Sequence, residues 1–345
     1  MGVIEARREA FYQRAAQTDL APLWTVLKGL VTRRPESPAV PACWRFRDVR
    51  PFLIEACDLI GTEEAERRVL MLENPALHGQ AKITRSLYAG LQIVMPGEVA
   101  RAHRHVASAL RFIVEGSGGH TAVDGERTGM SPGDFVITPS WTWHEHGNDG
   151  DEPVIWLDGL DVHIVNLLDS SFREDEGERP SATTRPTGAS LAEAALNMLP
   201  IDFDRKGGTS PIFNYPYTRT REALDGISRF RDPDPAFGFK MRYVNPTNGD
   251  WAISTIATWA QLVPKGFHTT PYRSTDGTIF VVIEGEGYSL IGGTRFDWGP
   301  HDIFVVPSWC ESIHIGNAES ILFGISDRVV QEKLGLWRES REAAN

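Results

Sequence analysis

Apolar residues recur every three or four positions through the first sixty residues, and the pattern then changes. Glu5 to Gln17, Pro22 to Val31 and Val49 to Ile60 carry helix-like spacing and predict helices. An acidic-then-basic stretch, Thr62 to Arg68, follows. From Val69 the runs become short and alternating or wholly apolar: Ser86–Met95, Leu110–Val114, Asp134–Thr138 and Val154–Leu157. Pro96-Gly97, Gly116 to Gly119 and Pro132-Gly133 punctuate them. Short strands with regular turn signals predict a β-sandwich or barrel. Arg173 to Pro186 breaks the pattern with charge, Pro, Thr and Ser, and is expected to be an exposed linker. Leu191–Leu199 and Thr218–Phe230 are expected to be short helices in the same connecting region. After Arg242 the strand texture returns.

The second strand-rich half repeats the first. Ala89 to Gly97 matches Thr258 to Gly266, and Ile113 to Gly118 matches Val282 to Gly287, both at an offset of 169 residues. Pro132 to Trp141 matches Pro300 to Trp309 at an offset of 168. A near-constant offset over three segments indicates a duplicated β-domain.

Length and charge narrow the partners. A chain of 345 residues can bury two cores. The net charge of −11, with no Lys/Arg-rich run, argues against nucleic acid. No apolar stretch approaches the ~18 residues needed to span a bilayer. Met1 to Leu20 lacks the apolar centre of a signal peptide, so no membrane association and a cytoplasmic location are expected. Cys43, Cys57 and Cys310 are scattered and suggest neither a disulfide framework nor a thiolate metal site.

Four histidines carry the candidate chemistry. His103 and His105 sit two apart on a predicted strand and therefore share a face. His144 and His146 do the same on a second run. The repeat has Tyr272, Ser274 and Ser312 where the first half has His103, His105 and His144. Barrel architecture alone does not call for these three imidazoles, so they are expected to hold one metal ion.

These residues match the cupin signature. Its first half is read in Gly97, His103, His105, Ala109 and Gly116, and its second in Gly133, Pro139, Trp141, His144 and Asn148. Trp141 stands where the signature has glycine, and Ala109 where it usually has a glutamate ligand. Three neutral ligands without that carboxylate leave open positions, which fits Fe(II), with Zn(II) or Cu(II) allowed by the ligand types. The run His103 to Gly116, together with Arg67 to Pro75 and Leu87 to Gln92, resembles the gentisate/salicylate 1,2-dioxygenase family of bicupins.

The resemblance implies an all-β core of two tandem cupin (double-stranded β-helix, jelly-roll) barrels. It divides the chain into a helical N-terminal region at 1–70 and a metal-binding catalytic cupin at 71–170. A linker with short helices at 171–240 and a metal-free cupin at 241–335 follow. It further implies Fe(II), O2 as co-substrate, a small aromatic acid as substrate, and a homotetramer. The reaction would open a 2-hydroxybenzoate between its carboxyl-bearing and ortho-hydroxyl carbons, with gentisate giving maleylpyruvate as the default. Salicylate, a substituted salicylate such as the 5-nitro compound, and 1-hydroxy-2-naphthoate are alternatives. A non-catalytic cupin that binds an aromatic acid around a structural metal is another class, disfavoured because no DNA-binding segment accompanies the barrels. An isomerase-type metal cupin would need no open position for O2.

Further residues take roles in that frame. Arg111 shares sequence parity with the ligands and, if the strand is unbroken, is expected to point inward with them toward a substrate carboxylate; the repeat has Phe280 there. His146 is expected to serve substrate binding and proton transfer. Asp158, in the apolar run Val154 to Val165, is expected to orient it. The copy of His146 is His314, which leaves a structural role open. Asp161 competes with Asp158 and is expected to face solvent. Tyr88, Gly90 and Gln92 share one parity and are expected to line the pocket, although Gln261 repeats Gln92. Arg67 or Arg68, at a helix end, could reach the substrate. His78, His120, His163, His268 and His301 are expected to be structural, and Trp141 and Trp143 to pack the barrel mouth.

Overall fold

The computed structural model describes residues 2–175, 183–195, 198–203 and 208–341. Part of the expected linker, 176–182, and the end of the expected helix at Leu196-Asn197 lie outside the described residues. Two compact units result, 1–36 and 37–345. The first holds the helices Val3–Ala16 and Leu23–Leu30. The expected N-terminal region at 1–70 is therefore not one body, since its part from Ser37 onward belongs to the larger unit.

That unit contains two β-barrels. In the first, a six-stranded sheet runs Asn214–Tyr215, Phe135–Thr138, Ala109–Glu115, Val154–Leu160, Tyr88–Val94, Arg68–Met71. Its five-stranded partner runs Arg173–Asp175, Val99–His105, His144–Asn148, Gly119–Val123, Glu126–Gly129. The second barrel repeats the plan. Its six-stranded sheet runs Ala42–Trp44, Ile303–Val306, Thr278–Glu284, Ser320–Ser326, Ala257–Val263, Phe239–Arg242. Its five-stranded sheet contains Tyr272–Ser274 and Ser312–Gly316.

Period-two alternation explains how the barrels meet. On Ala109–Glu115, Leu110, Phe112 and Val114 join a core that also holds Ile279, Val281, Ile321 and Phe323 of the second barrel. Phe112 stacks on Phe323 with ring centroids 4.4 Å apart. The two large sheets thus pack on each other, and this shared core is the main apolar interior. The intervening residues face into each barrel, and there the copies differ. The second barrel is filled by aromatics such as Trp259, Phe280, Trp298 and Phe304. The first keeps a smaller apolar cluster including Val94, Ile113 and Trp156, leaving room for polar groups.

The connecting segments are exchanged between barrels. Ala42–Trp44, from before the first barrel, pairs with Ile303–Val306 of the second. Asn214–Tyr215, inside the expected linker, pairs with Phe135–Thr138 of the first. Each is followed by a 14-residue helix, Phe46–Leu59 or Tyr217–Phe230. The first N–H of each helix is accepted by the repeated aspartate: Phe46 by Asp302 and Tyr217 by Asp134, both at 2.9 Å. A carboxylate there satisfies an otherwise unpaired helix donor. The described stretch from Asn214 to Phe230 is accordingly part of the packed structure.

Candidate metal centre

His103 lies directly across the ladder from His144, and in the copy Tyr272 lies directly across from Ser312. The repeat register read from the sequence is therefore reproduced in space. His103, His105 and His144 place one ligand-capable nitrogen each within 4.8 Å of one another. Their ring centroids are 4.2 to 5.4 Å apart.

Backbone carbonyls set their tautomers. His103 Nδ1 meets Arg101 O at 3.2 Å, His105 Nδ1 meets Ala107 O at 2.7 Å, and His144 Nδ1 meets Thr142 O at 2.8 Å. A carbonyl can only accept, so each Nδ1 carries the proton and each Nε2 keeps a lone pair. His144 is fully buried, and its Nε2 has no hydrogen-bond partner. An orphaned lone pair in that position fits a metal ligand. Burial, with nearby arginines, pushes the His103 pKa down to about 2. Burial, with Arg67, Arg111 and Arg173 nearby, pushes the His105 pKa down to about 4 against the hydrogen bond to Ala107 O. The imidazoles are thus neutral and available to a cation. Among the described residues no carboxylate joins them, in keeping with alanine at 109.

The turn before His144 is unusual. Trp141 has φ of +61° and its counterpart Trp309 has +60°, the left-handed region that glycine adopts freely. This is the position where the cupin signature has glycine. The tryptophan conformation is held by its N–H donating to His105 O at 2.8 Å, which fixes the ligand loop. Trp141 packs on Phe172, and the Arg104 guanidinium sits 4.4 Å over Trp141 and 4.8 Å over Trp143. Asn148 is a brace for the neighbouring turn, donating to Val94 O at 3.0 Å and Glu152 O at 2.7 Å.

A polar cluster lies beside the imidazoles. Arg111, 2% exposed, donates Nη1–H to Thr138 at 2.7 Å and Nη2–H to His146 Nε2 at 2.7 Å. Asp158 lies across from Arg111 on one side and from Gly90 on the other. Its Oδ1 is 3.6 Å from Arg111 Nε and accepts Trp156 Nε1–H at 3.0 Å. The expected Asp158–His146 pairing is not formed. His146 Nδ1 instead meets the Thr121 hydroxyl at 2.7 Å, and that hydroxyl donates to Glu145 O at 2.9 Å. Arginine has no acceptor, so His146 Nε2 must accept and its Nδ1 must carry the proton. Thr121 and Thr138 were missed in the sequence reading. The hydroxyl retained in the repeat at Ser289 was the available signal for Thr121.

The two candidate arginines separate. The preceding helix ends at Ala65, and Arg68 opens a strand. Arg67 turns inward against His103, with Nη2 2.6 Å from Nδ1 and in contact with Nε2. Arg68 does not reach the centre. It pairs with Glu98 and donates to Ile60 O at 3.2 Å, because adjacent strand residues point oppositely. Tyr88 and buried Gln92 share the inward face with Gly90. Burial, with Asp158 nearby, pushes the Tyr88 pKa up, so its phenol stays protonated. Asp161 does not face solvent. It is 1% exposed, accepts Ser108 N–H at 2.8 Å and pairs with Thr255 of the other barrel.

A cupin-domain family model matches residues 90–162. The chain is 54% identical over 338 residues to gentisate 1,2 dioxygenase 1 of Aquipseudomonas alcaligenes, covering 98% of this chain and 97% of that protein. It is 36% identical to a 5-aminosalicylate 1,2-dioxygenase of a Comamonas species, covering 97% and 91%. A variant of the salicylate 1,2-dioxygenase of Pseudoaminobacter salicylatoxidans, solved in complex with gentisate, superposes with a TM-score of 0.93 at 32% identity. That match covers 98% of this chain and 96% of the other.

Proposed function

The chain belongs to the gentisate 1,2-dioxygenase family, and we propose that it opens the ring of gentisate with O2 at an iron(II) held by His103, His105 and His144. The observation that carries this reading is a pairing: three neutral imidazoles gathered within 4.8 Å, one with a buried Nε2 that has no partner, lie beside a buried arginine that still has an unused donor. Iron(II) in that setting supplies a Lewis acid and a one-electron couple between an electron-rich ring and O2.

The side chains around it supply binding and orientation. Arg111 Nε makes no hydrogen bond, so one donor remains for a substrate carboxylate. Arg67 is a second cation on the same side, and Asp158 is the one acid facing both. Two positive charges against one leave the pocket suited to an anion. His146 accepts from Arg111 and holds its own proton at Nδ1, so it acts on the substrate through the arginine it positions. The Tyr88 phenol is a donor within reach of ring substituents. Gly90 leaves room opposite Asp158, where the copy has Trp259 filling the space over Gly324.

Gentisate is favoured over other 2-hydroxybenzoates by the higher identity to a gentisate enzyme and by the electron donation of its 5-hydroxyl. Rates with gentisate, salicylate, 5-nitrosalicylate and 1-hydroxy-2-naphthoate on the iron-loaded protein test this. The expected kcat/KM is highest for gentisate by at least about tenfold. A faster salicylate or naphthoate would overturn the substrate assignment.

A further inference from the structure

The second barrel has lost the imidazole triad but keeps an interior cavity, lined by Lys240, Trp259, Gln261, Tyr272, Phe280 and His314 among others. Its centre has room for little more than a group of a few atoms. Lys240 lies directly across the ladder from Gln261, so both side chains share one face. Gln261 is 1% exposed, and its Nε2 donor has no partner. The Lys240 ammonium sits 4.0 Å over Trp259 and 4.4 Å over Phe237, with no ion pair or hydrogen bond to any described residue.

The histidine of this barrel lines the same cavity. Trp298 Nε1–H donates to Ser289 Oγ at 2.9 Å. The same hydroxyl lies 2.8 Å from His314 Nδ1. The other charged groups around the cavity are already engaged. Asp276 accepts Trp337 Nε1–H at 2.8 Å, Arg328 pairs with Glu332 at 2.7 Å, and Arg273 pairs with Glu311.

We propose that the second barrel binds a compact monovalent anion, a small carboxylate or an inorganic ion of similar size, against Lys240 and Gln261 in the cavity that His314 also lines. The Lys240 ammonium rests only on aromatic faces with Asp276 as the nearest attracting carboxylate, and the buried Gln261 Nε2 donor has no partner, a costly arrangement unless an acceptor is present. Burial pushes the Lys240 pKa down to about 7, so an anion would restore the ammonium that aromatic faces only partly compensate. The site is separate from the triad and independent of the assigned reaction.

The test uses the full-length, iron-loaded protein. Thermal shift is followed during titration with formate, acetate, nitrate and bromide, and crystals soaked in bromide are examined by anomalous diffraction. A saturable rise in Tm is expected in the wild type, abolished in Lys240→Met and weakened at least about tenfold in Gln261→Leu. A bromide peak is expected against Lys240. Response to formate and acetate alone identifies a carboxylate site, and response to nitrate and bromide an inorganic one. No saturable shift with any anion and no bromide peak would overturn the proposal, as would an undiminished response in Lys240→Met. If Lys240→Met does not fold, Gln261→Leu and the bromide map decide.

Discussion

Arg111 donates to His146 across 2.7 Å, and that single contact fixes the direction of every proton behind it. His146 Nδ1–H is then given to Thr121, and the Thr121 hydroxyl to Glu145 O. Thr121→Val removes the acceptor and leaves a buried donor unpaired, at a cost of about 1–3 kcal/mol. The expected result is a lower Tm together with a raised KM, as Arg111 loses its fixed seat. Thr121→Ser should restore both, since a serine hydroxyl, Ser289, already meets Nδ1 of the copy's histidine at 2.8 Å. Chemical denaturation and steady-state kinetics on the two variants check this.

Arg111→Met should lower kcat/KM about 10- to 100-fold, mostly through KM, as expected for losing a charge-assisted contact to a carboxylate. Arg111→Lys should recover little of it. One ammonium cannot serve Thr138, His146 and a substrate carboxylate in the planar arrangement of a guanidinium. Initial rates over a gentisate range measure both.

A Cβ at Gly90 would lie 2.6 Å from Val69 Cγ1 and 2.8 Å from the Tyr88 hydroxyl. Gly90→Ala should therefore displace Tyr88 into the pocket, raise KM and cost about 1–3 kcal/mol of stability through overpacking. Gly324→Ala, in the other barrel, should show the stability loss without the KM change, because its Cβ would meet Trp259 at 2.2 Å. Paired denaturation and kinetic curves separate the two effects.

Burial raises the Asp161 pKa from 3.8 to about 6, against hydrogen bonds from Thr255 and Ser108 that lower it. A carboxyl whose folded pKa is raised binds more protons folded than unfolded between those two values. Its contribution to stability is full below about pH 4 and is lost as pH rises through about 6. The difference in unfolding free energy between wild type and Asp161→Asn should change in that window and level off above it. Urea denaturation from pH 4 to pH 7 gives this difference.

Much of this arrangement was legible because strands obey a period of two and the chain carries its own control copy. Parity put His103 and His105 on one face, and the offset of the repeat paired Tyr272 with Ser312 as His103 pairs with His144. Arg111 does face the same interior, but from the opposite sheet, because the strand breaks between His105 and Ala109. What escaped depends on pairings between distant segments. Thr121 reaches His146 only through a strand pairing 25 residues away, and nothing local distinguishes its hydroxyl from a surface one. The exchange of Ala42–Trp44 for Asn214–Tyr215 between barrels has no periodic signature, since strands so short show no alternation. Asp161 was misplaced because its partner Thr255 lies on the other barrel. Arg67 and Arg68 could not be told apart until the start of the strand was located.

Oxygen consumption tests the central claim most directly. The protein is loaded anaerobically with Fe(II), mixed with gentisate and exposed to air, while dissolved O2 and the absorbance of the ring-opened product are recorded together. The account predicts one O2 consumed per gentisate opened, and loss of both signals in His144→Ala. Product formation without O2 uptake, or full activity in His144→Ala, would contradict it.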